Sequence, residues 1–143
     1  MGWDFVHSEG DHEQFNDFDL WTLRHFFIEE ARVMEAARPS GDTTALREFF
    51  EAWDWPGPGV FMGTDFSQFV SAKHLRWQLL LRLLQQTGDR IARFGELIPL
   101  KYLAAHVSTH TEWFTKPQPT RDYLICIGRI CTLLSKHEPP SHS

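Results

Sequence analysis

Two histidines, His106 and His110, stand four residues apart in the segment AHVSTHTEW, which its apolar pattern predicts to be helical. Residues at i and i+4 share one face of a helix, so both imidazoles can reach one metal ion. His74, on an earlier predicted helix, can supply a third nitrogen ligand, and Glu96 is another candidate. The same spacing also arises by chance in a helical chain with eight histidines. We therefore expect no cofactor, with a metal site at His74, His106 and His110 as the alternative.

Three histidines on two bundle helices resemble the metal site of DinB-like four-helix proteins. The resemblance covers the His-x3-His unit of AHVSTHTEW and the distant His74. It implies a metal-dependent helical-bundle enzyme in which these side chains hold the ion.

Other catalytic patterns are missing from the sequence. Ser67, Ser71 and Ser108 fall in predicted helices, without the sharp turn that exposes a nucleophilic serine. Residues 57–59, Gly-Pro-Gly, lack the lysine and the following helix of a phosphate-binding loop. We therefore expect a protein without catalytic activity.

The bulk composition predicts one folded domain. The chain has 143 residues, of which 42% are apolar and 23% charged, values that are ordinary for a globular protein. Cys126 and Cys131 lie five residues apart on one predicted helix, a spacing that places them poorly for a disulfide with each other. Two unpaired thiols, no signal-peptide pattern and no apolar run of about 18 residues favour the cytoplasm.

Negative charge is concentrated at the N-terminus. Residues 1–19 contain six carboxylates and no Lys or Arg, which leaves 13 acidic and 14 basic residues in the rest of the chain. A negative field repels nucleic acid and anionic membranes, so we expect neither as a partner. The partner that this charge favours is a protein with a basic surface.

Apolar periodicity predicts about five helices, and the fold class we expect is all-α. The helices span roughly residues 19–37, 43–53, 65–86, 99–114 and 120–138, with Gly88 ending the third and a short helical segment at 89–95. The β-branched run YLICIGRI (123–130) leaves a strand as an alternative in the last of them. The expected organisation is an acidic aromatic arm at 1–18, a helical domain at 19–138 and a C-terminal tail at 139–143. The arm fits either a short strand or an irregular wrap, and we expect the latter.

A polar stripe runs along the third predicted helix at helical spacing, and we expect it to face solvent. If that helix were central, its Arg82 and His74 would be buried and would need partners. The stripe consists of Ser71, His74, Gln78, Arg82 and Gln85.

The segment WDWPGPGVFMG (53–63) combines two Pro-Gly pairs with several large apolar side chains. Its prolines cannot donate backbone hydrogen bonds, so a helix breaks there. One interpretation is a stiff corner that plugs the core, to which Trp53 belongs as part of the preceding helix. The other is a rigid binding lip, in which Trp55, Phe61 and Met62 contact a partner at little cost in entropy.

These observations predict a non-catalytic protein-binding protein, most concretely a small inhibitor or immunity protein that neutralises a toxin or enzyme. The alternatives are the metal-dependent enzyme and an oligomeric adaptor whose arm swaps onto a neighbouring subunit. The oligomeric state is left open. The expected apolar contacts are Trp55, Phe61 and Met62, and the expected electrostatic contacts are Asp4, Glu9, Asp11 and Glu13.

Overall fold

The computed structural model describes residues 3–53, 63–107 and 114–141, with backbone alone for residues 3 and 4. The helices in these ranges are α1 (Asp17–Ala37), α2 (Gly41–Ala52), α3 (Ser67–Val70), α4 (His74–Ala92), α5 (Leu100–His106) and α6 (Thr120–Ser135). The strands are β1 (Trp3–Ser8), β2 (Asp11–Asn16), β3 (Thr64–Asp65), β4 (Leu97–Ile98) and β5 (Gln118–Pro119). The expected helical bundle is therefore confirmed, but the all-α class is wrong, because two small sheets accompany the helices. None of the described helices is both long and apolar enough to cross a membrane.

The N-terminal arm is a β-hairpin and not the irregular segment that we expected. Its strands β1 and β2 pair antiparallel along their full six-residue lengths. Glu9 and Gly10 form the two-residue turn, with φ angles of 50° and 82°. Positive φ at both central residues is the requirement of the hairpin turn whose twist matches that of the strands. Glycine adopts such angles at little cost, so Gly10 is the residue that makes this turn favourable.

The hairpin has an inner and an outer face, as the two-residue period of a strand dictates. On the inner face, Val6 and Phe15 are 0% and 1% exposed and belong to the same core cluster as the helices. This face packs against α6 and α1. The outer face carries Phe5, His7, His12 and Gln14. The arm and the helical region therefore share one core.

Helix α1 contacts α2, α4 and α6 and lies at the centre of the bundle. Its cap is Asn16, whose Oδ1 accepts hydrogen bonds from the backbone N–H groups of Phe18 and Asp19, at 2.9 and 3.3 Å. Asp17 and Asp19 lie within the first turn. The helix begins at Asp17 because Asn16 is the last extended residue of the hairpin. The core side chains of α1 include Leu20, Leu23, Phe26, Phe27 and Ala31.

Helix α2 begins at Gly41, before the predicted start at residue 43. Ser40 is its N-cap, and Ser40 and Thr43 each accept a hydrogen bond from the other's backbone N–H, at 3.1 and 2.9 Å. This reciprocal capping satisfies two donors that a helix start leaves free.

The predicted helix at 65–86 is divided into α3 and α4. Ser71 and Ala72 have φ angles of 49° and 58°, which no continuous α-helix allows. At the start of α3, Asp65 Oδ1 accepts from the N–H and hydroxyl of Ser67. The polar stripe faces solvent as predicted, with all of its members exposed except the half-buried His74.

Helix α4 continues past Gly88, which was predicted to end it. Gly88 is buried inside the helix and faces Leu124 and Ile127 of α6. Packing against α6 therefore offsets the weak helix propensity of glycine. The same helix pair is joined by Trp77, whose Nε1–H donates to the Leu134 carbonyl at 2.9 Å.

Helix α6 confirms the helical prediction for the last apolar segment, despite its β-branched run. Its buried side chains are Thr120, Tyr123, Cys126, Ile127, Ile130, Leu133 and Leu134, a spacing of three and four that covers one helix face. Burial of this face stabilises the helix over a strand. The intrinsic helix and strand propensities of single residues span only about 1 kcal/mol, so they do not decide between the two. Thr120 is not a cap: its hydroxyl donates to the carbonyls of Gly95 and Glu96, at 2.6 and 3.2 Å.

Candidate interaction site at the hairpin sheet

A third strand joins the hairpin sheet at the edge of β1. β1 pairs in parallel with β3, with Val6 opposite Thr64 and His7 opposite Asp65, so the strand order is β2–β1–β3. The Phe66 N–H then donates to the His7 carbonyl at 2.9 Å. The pairing connects the acidic arm to the chain that follows the Pro-Gly segment.

A pocket of about 370 Å³ lies beside this pairing. It is lined by residues of the hairpin, of α2 and of the segment around β3: His7, Phe49, Ala52, Trp53, Gly63, Thr64, Asp65 and Gln68. Trp53 and Gly63 are the residues that flank 54–62 in the sequence. The fold therefore brings the arm together with both ends of the Pro-Gly segment. We call this pocket and the outer face of the hairpin the hairpin site.

His7 is the centre of the hairpin site. Its ring lies 6.0 Å from that of Phe5 and 5.8 Å from that of His12, measured between ring centroids. A Cβ atom at position 63 would lie only 3.0 Å from His7 Nε2, closer than most real Cβ contacts, so Gly63 allows this approach without displacing the ring. The sequence did not single out His7. The signal that could have found it is the strand pattern of Val6, His7 and Ser8 next to the glycine of a hairpin turn.

Trp53 closes the inner end of the pocket. It is 6% exposed, and its ring centroid lies 6.4 Å from that of Phe50, which confirms that Trp53 belongs to the core. Its buried indole N–H has no hydrogen-bond partner in the described part of the chain. A buried hydrogen-bond donor without an acceptor lowers the free energy of unfolding. The three predicted apolar contacts, Trp55, Phe61 and Met62, lie outside the described residues.

Some acidic side chains of the arm face solvent, and others pair with basic side chains on or just after α6. Glu9 is exposed at the hairpin turn. Glu13 Oε2 accepts from Arg129 at 2.7 Å, and Asp11 Oδ2 lies 3.2 Å from His137 Nε2. The hydrogen bond with His137, followed by that from the backbone of His12, lowers the pKa of Asp11. Two of the predicted electrostatic contacts therefore help to hold the hairpin on the bundle, while the side chain of Asp4 is outside the description.

A second polar cluster lies where α1, α4 and α5 meet. The Tyr102 hydroxyl donates to Glu29 Oε2 at 3.1 Å, and Arg90 forms ion pairs with Glu29 and the buried Glu30, at 3.5 and 3.1 Å. His106 stacks on Tyr102 with centroids 4.3 Å apart, and its Nδ1 lies 3.8 Å from Glu29 Oε1. Burial, followed by the neighbouring Glu29, raises the pKa of Tyr102 to about 12. The phenol is therefore protonated at neutral pH, and the cluster connects three helices.

The two candidate histidine ligands in the described part of the chain, His74 and His106, lie far apart. His106 belongs to the cluster around Arg90, whereas His74 lies sixteen residues before Arg90 on α4, about 24 Å along the helix axis. His74 Nε2 instead lies 3.1 Å from Glu138 Oε2. His110 is outside the described residues. Within 3–53, 63–107 and 114–141, no three His, Cys, Asp or Glu side chains are grouped so that they could hold a metal ion.

The two cysteines are free and lie on α6, Cys126 buried and Cys131 half-buried. Burial raises the pKa of Cys126 to about 11 and also raises that of Cys131. Because the thiolate is the nucleophilic form, neither side chain is activated at neutral pH.

Comparison with known proteins assigns no family to this chain: no family model, no curated protein and no solved structure matches it.

Proposed function

We propose that this chain is a non-catalytic protein-binding protein, of the class of small inhibitor or immunity proteins that neutralise a toxin or enzyme by direct contact. The observation that carries the proposal is the parallel pairing of β1 with β3. It places the acidic hairpin beside Trp53 and Gly63, so that an acidic element and the ends of an apolar, proline-rich segment share one surface.

The hairpin site has the properties of an interface that is ordered before binding. Phe5 and His7 are half-buried and fixed by ring contacts, and their backbone is held by ladders on both sides. A rigid aromatic surface loses little conformational entropy when a partner covers it. We assign the remaining apolar contacts to Trp55, Phe61 and Met62.

The partner that we propose has a basic surface. The net charge of the chain is −5, which draws a positively charged protein towards it and speeds their encounter. Glu9 reaches solvent at the turn, whereas Asp11 and Glu13 are partly neutralised by their pairs with α6. Glu9 is therefore the main steering residue among the described carboxylates of the hairpin. The raised thiol pKa values support a non-catalytic role for the cysteines.

The test begins with capture of the partner from a lysate of the native host by the tagged, purified chain, followed by mass spectrometry. The captured partner is then purified, and its association and dissociation rates are measured. The variants are Glu9→Lys, Trp55→Ala and the control Glu48→Lys, which reverses a carboxylate on α2 that is 65% exposed.

We expect Glu9→Lys to slow association several-fold at low salt, with the difference shrinking as salt screens the charge. Trp55→Ala should raise the dissociation rate and cost on the order of 2 kcal/mol of binding free energy, as truncation of an interface hot spot does. Glu48→Lys should change neither rate. Binding that is indifferent to both Glu9→Lys and Trp55→Ala contradicts the proposed site. A chain that binds no protein but purifies with stoichiometric metal contradicts the proposed function.

A further inference from the structure

A groove of about 710 Å³ runs between the C-terminal half of α1 and the exposed side of α4. It shares no residue with the pocket of the hairpin site. The α1 wall carries Val33 and Ala37, and the α4 wall carries Leu75 and Leu79. Each pair is spaced i, i+4, so each forms a continuous apolar strip along its helix. Residues 38–40, 42 and 43 close one end.

The groove brings together exposed apolar side chains from two helices. Val33 is 48% and Leu75 63% exposed, and these are two of the four large apolar side chains that are exposed in the described part. The other two are Leu97 and Ile125, which do not line the groove. Apolar side chains that are grouped in a concave surface, and not scattered singly, mark a place where another molecule binds.

The charge of the groove indicates the chemistry of that molecule. Arg38 and Arg82 both line it, and neither has an ion-pair partner among the described residues. The one carboxylate in the lining, Asp42, is engaged by Arg76 at 2.9 Å. Two uncompensated guanidinium groups beside an apolar strip fit carboxylates that flank apolar side chains.

We propose that this groove binds an amphipathic helix of a partner protein, with apolar side chains on one face and carboxylates beside them. The α4 wall extends from Leu75 to Gln86, a rise of eleven residue steps or about 16 Å, which is the length of three helical turns. Such a helix would place side chains at i, i+3 or i+4, and i+7 between Val33 and Leu75, with its carboxylates towards Arg38 and Arg82. The groove is thus a second docking surface, of opposite charge preference to the hairpin site.

The test uses a phage-displayed library of random 16-residue peptides, panned on the intact chain. Enriched peptides are synthesised, and their dissociation constants are measured by fluorescence anisotropy. Two variants alter the groove: Leu75→Ser and the double variant Arg38→Glu/Arg82→Glu. Matched controls make the same changes elsewhere on the exposed surface: Ile125→Ser, at 51% exposure, and Arg121→Glu. Glu9→Lys reports on the hairpin site, and circular dichroism checks the fold of every variant.

We expect the enriched peptides to combine apolar residues at helical spacing with Asp or Glu. Each groove variant should weaken their binding by about tenfold or more, the effect of losing an anchor or a paired charge, while the controls and Glu9→Lys leave it within about twofold. If the double variant unfolds, Leu75→Ser decides, because its side chain is already largely in solvent.

Several results would overturn the proposal. Enrichment of basic peptides, or of none at all, contradicts the assigned charge or the docking site itself. Peptides that lose binding in Glu9→Lys but not in Leu75→Ser belong to the hairpin site. Light scattering provides the last test: if the wild-type chain self-associates and Leu75→Ser is monomeric, a second copy covers the groove in place of a partner helix.

Discussion

Replacement of Phe15 by alanine tests whether the acidic arm is part of the core. Phe15 is 1% exposed on the inner face of β2, and the Arg129 guanidinium lies 4.4 Å from its ring centroid. Truncation of a buried phenylalanine costs about 3–5 kcal/mol through lost transfer free energy and the cavity left behind. Loss of the cation–π contact adds about 0.5 kcal/mol at this partly exposed arginine. We therefore expect Phe15→Ala to lower the free energy of unfolding by about 4 kcal/mol.

Gln14 is the matched control for this substitution, because it precedes Phe15 and its side chain is exposed on the outer face. Gln14→Ala should change the free energy of unfolding by less than about 0.5 kcal/mol. Urea denaturation followed by circular dichroism measures both values, and the slope of the transition checks that the unfolded states are comparable. For a chain of this size the loss at Phe15 corresponds to a fall of about 10 °C in Tm.

Two results would refute the reasoning. If both substitutions lower the free energy of unfolding by equally small amounts, the arm does not pack on the bundle through Phe15. A large loss at Gln14 and a small one at Phe15 mean that the register is shifted by one residue, since such a slip exchanges the two faces of a strand. If Phe15→Ala does not fold, Phe15→Leu keeps most of the apolar volume and should cost about 1 kcal/mol.

Three further predictions concern the helices. Trp77→Phe removes the hydrogen bond to the Leu134 carbonyl, which keeps its bond from the His137 N–H at 3.1 Å, so it should cost about 0.5–1.5 kcal/mol in urea denaturation; an unchanged midpoint contradicts the bond. The Cys126 thiol, whose pKa is raised to about 11 by burial, should react slowly with a thiol reagent at pH 8 in the native protein and rapidly in urea, whereas fast native reaction argues against its burial. Burial, and then the nearby Arg24, lower the pKa of His25 from 6.5 to about 4, so the unfolded chain takes up this proton first as the pH falls. The free energy of unfolding should therefore decline from pH 6.5 to pH 4, more steeply in the wild type than in His25→Leu, and parallel pH profiles would count against the buried histidine.

The hairpin site was only partly predictable from the sequence. The sequence pointed to the acidic arm and the Pro-Gly segment as candidate binding elements, and Trp53 was correctly assigned to the core. Their proximity was not predictable, because it depends on the pairing of β1 with β3 across more than fifty residues. Nor did the sequence indicate that Asp11 and Glu13 pair with His137 and Arg129, because a count of charges carries no information on partners that lie on another element.

What the sequence determined by itself is the set of helices, because apolar side chains at spacings of three and four mark a buried helix face wherever that face packs. It placed α1, and it favoured a helix at α6 while leaving a strand as the alternative there. The tertiary structure decided where helices break and which strands form. Gly88 continues a helix because α6 packs against it, and the turn at Ser71 and Ala72 divides a segment that reads as continuous. Strand pairing and helix packing draw on residues far apart in the chain, so no local pattern contains them.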